Sequence, residues 1–294
     1  MRTDQSGQDG ASALLDHLRA YKCLVVAFSG GTDSAFLLAA AQRALGPDNV
    51  IAATVVSPSL ATGELESARS FAEDIGVRHV AVPGAEIGRA GYRENARDRC
   101  AHCKTELMEV LLPVAELHFG TDAVVATGTN ADDAVDPHRP GMAAAGRLGA
   151  VTPLAAVRMS KAEVRRLSHD WGLSTWDKPQ AACLASRIAY GVPVTESGLR
   201  RVDRAEARLR EFFRDESIPV TNLRVRDLGA EHARVEVDAH VLDQVLTIQA
   251  PVVELTRSAG FTEAEVDPRG FRSGSLNEPI LLDLERPMPL SSVQ

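Results

Sequence analysis

Apolar residues fall in short, evenly separated blocks along the first two thirds of the chain. Lys22 to Phe28, Val50 to Val56, Arg78 to Val82 and Asp122 to Gly128 read as buried strands. Between them the apolar positions recur at helical spacing. Ala11 to Tyr21 places Leu14, Leu15 and Leu18 on one side, Ala35 to Leu45 follows the first strand, and Glu64 to Ile75 ends at Gly76. A further helix is predicted from about Lys104 to Leu117, with Pro113 as a kink, and Ser160 with Glu163 makes a capping box for a helix ending near Trp171 and Gly172. Strands joined by helix-length connections predict a parallel α/β sheet covered on both faces. Ligands of such sheets bind beyond the carboxyl ends of the strands.

After Pro193 the pattern changes. A helix from Thr195 to Phe213, strands at Leu223–Leu228 and Ala233–Val237, a helix from Ala239 to Ala259 and a strand from Phe261 to Val266 predict a smaller α+β domain. The expected division is therefore 1–192, 193–274 and an irregular tail over 275–294. In the first of these strands Arg224 and Arg226 share one face. Paired arginines there suit a phosphate, and a solvated charged face gives the same alternation.

The chemistry begins between the first strand and its helix, at Ser29-Gly30-Gly31-Thr32-Asp33-Ser34. Two glycines let the backbone approach an anion closely, the helix turns its first amides toward it, and Ser29 and Ser34 add hydroxyls. Neither GxxxxGK[ST] nor GxGxxG is present. The string resembles the SGGxDS signature of the PP-loop ATP pyrophosphatases, which implies an adenine nucleotide α-hydrolase-like sheet holding the pyrophosphate end of ATP. Gly128 and Thr129 end another strand at the same edge. Asp33, Asp132 and Asp133 are candidate oxygen ligands for the magnesium that accompanies ATP, with Asp33 preferred; solvated loop acids would look the same.

Composition narrows the partners. A net charge of -8 in 294 residues, with 45% apolar content, describes a globular chain whose overall field opposes nucleic acid. Met1 to Gly10 has no apolar core and no run approaches a membrane span, so a cytoplasmic protein without membrane contact is expected. There, cysteines serve as ligands or reactive thiols rather than disulfides. Cys23 opens a strand and reads as a core filler. Cys100 and Cys103 form a CxxC at the start of the long helix, and Cys183 lies in the loop Trp176 to Gly191, which has neither period. Three thiols fit an iron-sulfur cluster with one open iron, a zinc site completed by His102 or His79, a redox pair, or unrelated thiols.

An adenylating loop beside a sulfur carrier points to thiolation, because AMP turns a carboxylate oxygen into a leaving group. The sequence resembles the LarE family of PP-loop sulfur transferases over nearly its whole length, at SGGTDS (29–34), ENARDRCAHCK (94–104), GTNADD (128–133), WDKPQAACLASRIAYG (176–191) and LRVRDLG (223–229). That resemblance implies adenylation of a pyridinium dicarboxylate mononucleotide and sulfur transfer in nickel-pincer nucleotide biosynthesis, twice per product, by a homo-oligomer. It implies ATP and magnesium as cofactors, ATP at Ser29, Gly30, Gly31, Asp33, Ser34, Gly128 and Thr129, and the transferred sulfur at Cys183. With the CxxC present it further implies a four-iron four-sulfur cluster on Cys100, Cys103 and Cys183, fed by a sulfur or sulfide donor. It strengthens Ser186, Arg187, Arg224 and Arg226 as anchors of the substrate phosphate, and it leaves Arg97 and Arg99 to meet ATP or substrate. The rivals are a tRNA thiolase of the TtcA type, an amide-forming synthetase with the same loop, and a nucleotide sensor without turnover.

Overall fold

A computed structural model describes residues 5–134, 140–179, 182–272 and 274–277. The chain divides into two compact units, Met1–Ala185 with Val194–Glu196, and Ser186–Pro193 with Ser197–Gln294. The short segment 186–193 belongs with the second unit, where Ile188 bridges to Asp227.

In the first unit the elements run α1 (Gln5–Leu18), β1 (Cys23–Ala27), α2 (Thr32–Leu45), β2 (Val50–Val56), α3 (Glu64–Asp74), β3 (Arg78–Pro83), α4 (Ala90–Arg93), α5 (Arg99–Phe119) and β4 (Ala123–Thr127). Then come α6 (Ala131–Ala134), α7 (Pro140–Arg147), α8 (Pro153–Ala156) and α9 (Lys161–Asp170). The four strands form one parallel sheet in the order β3-β2-β1-β4, with Leu24 opposite Val50 on one side of β1 and Val124 on the other. This is the parallel α/β sheet that the strand and helix spacing predicts. Burial on both faces explains the unbroken apolar runs. Leu24 and Val26 enter a core with Leu14, Leu18, Phe36 and Leu154, while Val25 faces the other way onto Ile51, Met108 and Leu111.

Two boundaries differ from expectation. Helix α5 starts at Arg99, five residues earlier than predicted, so Cys100 and Cys103 lie inside its first turns and, three apart, share a face. It continues through Pro113, which sits on the exposed side. In the second unit the single helix expected over 239–259 is two: the ladder breaks at Ile248, because Pro251, in the first turn of the second helix, has no amide to bond the Thr247 carbonyl.

The second unit contains α10 (Glu196–Asp215), β5 (Leu223–Asp227), β6 (His232–Val237), α11 (Ala239–Thr247), α12 (Gln249–Ser258) and β7 (Glu263–Val266). Its sheet has the order β5-β6-β7, β5 antiparallel and β7 parallel to β6. Leu223, Val225, Val235 and Val237 are buried on one face. The opposite face is charged yet also buried: Arg224 and Arg226 are each 6% exposed, which excludes a solvated face. Among the described residues no helix is long and apolar enough to cross a membrane. Residues 278–294, most of the predicted tail, lie outside the described part.

Candidate active site

The sheet's carboxyl edge carries the glycine turn. Phe28 closes β1 by donating its amide to Ala53 (2.8 Å), and its carbonyl accepts from Thr54 Oγ1 (2.7 Å). Gly30 then takes φ +71°, a region that suits glycine, and Gly31 sits at the N-cap of α2 with no side chain to cap the helix. The first-turn amides are thus left to an anion. Ser29 Oγ and Ser34 Oγ meet at 3.1 Å across the turn, and Ser34 Oγ also donates to the Gly31 carbonyl at 3.0 Å. Gly128, just past β4, is packed against this helix start: a Cβ there would lie 2.8 Å from the Ser34 nitrogen and 2.9 Å from its Cα. Only glycine fits. Thr129 engages Thr127 through its hydroxyl (3.0 Å) and accepts from the Ala155 amide (3.2 Å), so its carbonyl and side chain brace the loop.

Asp33 points into an enclosed polar cluster. Burial raises its carboxyl pKa and Asp133 adds to that, while Asn130 and then Lys161 pull the other way. Asn130 is fully buried, lies against Asp33, and its Nδ2 closes no hydrogen bond of good geometry. The other candidate acids are engaged: Asp132 accepts from the Lys161 amide (2.7 Å) at the start of α9, and Asp133 accepts from Lys161 Nζ (3.2 Å). A carboxylate in this position, beside an anion cradle, is the kind of hard oxygen donor that magnesium takes.

Sequence reasoning missed Lys178. Its Nζ donates to the Gly30 carbonyl (3.1 Å) and to Glu64 Oε2 (2.8 Å), placing a cation at the glycine turn. The segment that carries it is fastened there by Thr32 Oγ1 to the Thr175 carbonyl (2.8 Å) and by Arg165 to the carbonyls of Trp176 and Lys178, both at 3.1 Å. The only sequence signal was a cation in an aperiodic loop. Gln180 and Ala181 lie outside the described residues.

The same segment ends at the thiols. All four cysteines are outside disulfides, Cys23 buried as predicted, Cys100 and Cys183 exposed and Cys103 half-buried. The Cys103 sulfur is the enclosed part: burial pushes its thiol up to about 12, the neighbouring Cys183 and Cys100 push the same way, and Lys104 opposes them. Leu184 donates its amide to the Ser59 carbonyl (2.9 Å), and Arg99 Nη1 donates to the Ala185 carbonyl (2.8 Å) and to Asn95 Oδ1. Arg99 is 6% exposed, so it clamps the Cys183 loop internally instead of reaching for ATP; Arg97 is exposed.

Among the described residues no three His, Cys, Asp or Glu side chains are arranged to hold a single metal ion. His79 is hydrogen-bonded to Thr54 Oγ1 (2.9 Å) and His102 lies 3.3 Å from Asp98, so neither completes a zinc site. Cys103 is the thiol that both Cys183 and Cys100 influence, so three soft donors of the kind that iron-sulfur clusters take occur at one locus.

In the second unit, Arg187 forks onto Glu206 (2.9 and 3.2 Å) and Ser186 Oγ accepts from Arg187 Nη1 (3.2 Å). Arg226 donates to Glu236 (2.9 Å), Ser275 Oγ (3.1 Å) and the Ser186 carbonyl (3.2 Å). Arg224 lies 5.3 Å from the Phe271 ring centre and donates to the Leu223 carbonyl (2.8 Å). Burial and then Arg187 lower its pKa to about 10. The four predicted anchors are thus brought together around two buried carboxylates.

Comparison with known proteins gives these elements a lineage. Residues 12–108 match the NAD synthase family model. The uncharacterised protein slr1717 of Synechocystis is 38% identical over 86% of this chain and 91% of its own length. The chain belongs to the slr1717 family. The pyridinium-3,5-bisthiocarboxylic acid mononucleotide synthase of Lactiplantibacillus plantarum is 29% identical over 91% of this chain and 93% of its own. The glutamine-dependent NAD(+) synthetase of Aquifex aeolicus is 31% identical over 90 residues, which is 16% of its length. The NAD synthase match covers the glycine turn and the CxxC but stops before Cys183. With that loop, this slr1717-family member is an ATP-dependent enzyme, and the remainder of the chain must choose its nucleophile.

Proposed function

We propose that the chain is a sulfur transferase of nickel-pincer nucleotide biosynthesis. It adenylates a carboxylate of pyridinium-3,5-dicarboxylate mononucleotide with ATP and replaces an oxygen by sulfur, twice per product. What supports this reading is one segment, 175–185, held at one end to the glycine turn by Thr175 and Lys178 and at the other beside the CxxC by Ala185 and Cys183. Likeness to the Lactiplantibacillus synthase extends over that segment and the second unit together.

In this mechanism Ser29, Gly30, Gly31 and Ser34 receive the pyrophosphate end of ATP, Asp33 would hold magnesium, and Gly128 and Thr129 fix the helix start. The amides stabilise the charge that grows on the departing pyrophosphate, and magnesium, when bound, would supply further neutralisation of that charge. Ser186, Arg187, Arg224 and Arg226 take the phosphate of the mononucleotide. Arg224 gains most, because a phosphate dianion relieves a cation that burial and Arg187 disfavour. Cys183 presents sulfur, and Cys100, Cys103 and Cys183 would hold a four-iron four-sulfur cluster. When bound, that cluster supplies a transferable sulfide from a sulfur donor.

The test is incubation with ATP, magnesium, sulfide and the dicarboxylate mononucleotide, following pyrophosphate and the mass of the nucleotide. The expected result is pyrophosphate release that requires the dicarboxylate, and a thiocarboxylate product. Cys183→Ala should keep the first and lose the second. Amide formation is the second reading, on the strength of the NAD synthase match. A product formed with ammonia and not with sulfide would establish it instead.

A further inference from the structure

One face of the first sheet carries two polar side chains that the reaction above leaves unused. Ala52 of β2 lies opposite His79 of β3, and Thr54 lies opposite Ala81, so with side chains alternating along each strand these four share a face. Thr54 is 3% exposed and His79 is half-buried. Their polar ends meet. Thr54 Oγ1 donates to the Phe28 carbonyl at 2.7 Å and lies 2.9 Å from His79 Nε2. The His79 ring also stands edge-on to the Phe28 ring, with 6.4 Å between centres and 78° between planes.

One hydrogen-bonded chain thus crosses from β3 through β2 to the end of β1, and its direction follows from counting protons. A carbonyl only accepts, a hydroxyl has one proton, and Thr54 gives that proton to Phe28. The Thr54 oxygen must therefore accept from His79, which fixes the imidazole with a proton on Nε2. What the chain holds is the last carbonyl before the glycine turn. Among the described residues no backbone amide reaches the Phe28 carbonyl, so the Thr54 hydroxyl stands in for the strand ladder. The C=O of Phe28 and the N–H of Ser29 belong to one planar peptide and point opposite ways. Holding the first at Thr54 directs the second away from β2, and the Ser29 amide has no hydrogen-bond partner among the described residues. It is the first amide left to the anion.

We infer that His79 and Thr54 are positioning residues for ATP: the chain from His79 Nε2 through Thr54 Oγ1 to the Phe28 carbonyl sets the peptide plane that aims the Ser29 amide at the phosphates. This rests on ATP occupying the glycine turn, as the sulfur-transfer reading has it. Neither side chain touches the nucleotide. His79 acts only through the Thr54 hydroxyl, so its effect vanishes when that hydroxyl is absent.

The experiment uses the full chain as wild type, Thr54→Val, Thr54→Ser, His79→Leu and the Thr54→Val, His79→Leu double variant. Calorimetry gives the Kd of magnesium-ATP, and pyrophosphate release gives the KM of the dicarboxylate. Nitrogen NMR of histidine-labelled protein reads the His79 tautomer, its signals assigned by their loss in His79→Leu. Burial and then Arg69 lower the His79 pKa, with Glu73 opposing, so the neutral ring is present at about pH 8. Thr54→Val keeps the shape and removes the hydroxyl. It should weaken magnesium-ATP by about tenfold with the dicarboxylate KM unchanged, and Thr54→Ser should recover most of the loss. His79→Leu should weaken magnesium-ATP less, and the double variant no more than Thr54→Val alone. The neutral His79 should carry its proton on Nε2. Wild-type Kd in folded Thr54→Val overturns the inference, as do a neutral His79 protonated on Nδ1 and additive losses in the double variant. If Thr54→Val does not fold, wild-type Kd in folded His79→Leu overturns it. A wild type that binds magnesium-ATP but shows no dicarboxylate-dependent pyrophosphate release would sink the sulfur-transfer reading, while the ATP titrations still judge His79 and Thr54.

Discussion

Gly128→Ala is the most informative single substitution in the first unit. Gly128 has no positive φ to lose, so the effect is steric alone. The added Cβ would lie 2.8 Å from the Ser34 nitrogen, 2.9 Å from Ser34 Cα and 3.1 Å from the Asp33 carbonyl carbon, where ordinary contact begins at 3.4 Å. All three neighbours are backbone of the first turn of α2, so no side chain can swing aside. Either β4 or the helix start must retreat by about 0.6 Å, and overpacking of this kind costs about 1–3 kcal/mol. In a chain of this size that lowers Tm by roughly 2–12 °C. The larger consequence is for the anion cradle, whose amides move with the helix. Displacements approaching 1 Å cost about 100-fold in rate, so ATP-dependent pyrophosphate release should fall by roughly 10- to 100-fold. Gly146→Ala is the control: nothing lies within 4 Å of its Cβ, and it should be neutral or stabilising by up to about 1 kcal/mol. The assay is pyrophosphate release at saturating ATP together with thermal unfolding of both variants. Wild-type rate and Tm in Gly128→Ala would refute the close approach of β4 and α2 and the placement of the cradle derived from it.

Glu206→Gln leaves the buried Arg187 without its counter-charge next to Arg224, and should destabilise the second unit by about 3–5 kcal/mol in urea unfolding, more than any exposed pair such as Lys22 with Asp122. Arg99→Met should loosen the Cys183 loop: about 1.5–3 kcal/mol of stability is lost with the bonds to Asn95 and Ala185, and proteolysis within 176–191 should quicken. Cys103 is raised from 9.0 to about 12. In metal-free protein it should therefore resist alkylation at pH 9, where Cys100 reacts. Its neutral form contributes stability that is complete below the unfolded value and is lost as pH climbs from about 9 toward 12, because only the unfolded thiol then releases its proton. Unfolding free energy should accordingly decline over that window, and less so in Cys103→Ser.

The fold was legible because its determinants are local and periodic. Four apolar runs with helical spacing between them admit a covered parallel sheet and little else, and the Ser29 to Ser34 turn shows its purpose through glycines that only a close-approaching backbone requires. Helix ends were less legible: Arg99 opens α5 before any apolar position marks it, and Pro251 split a helix whose apolar period runs on. The sequence could also put Arg224 and Arg226 on one strand face. It could not tell whether that face meets water, because burial depends on Glu206, Glu236 and Ser275, which lie 10 to 49 positions away from the arginines they hold. Lys178 escaped for the same reason. It carries no pattern of its own, and it acquires a role only when folding sets it against Gly30. Periodicity and turn chemistry are written in neighbouring residues, so the chain alone determined the sheet and the cradle. Which charges are desolvated and which thiols share one locus are long-range properties, and only the tertiary structure decided them.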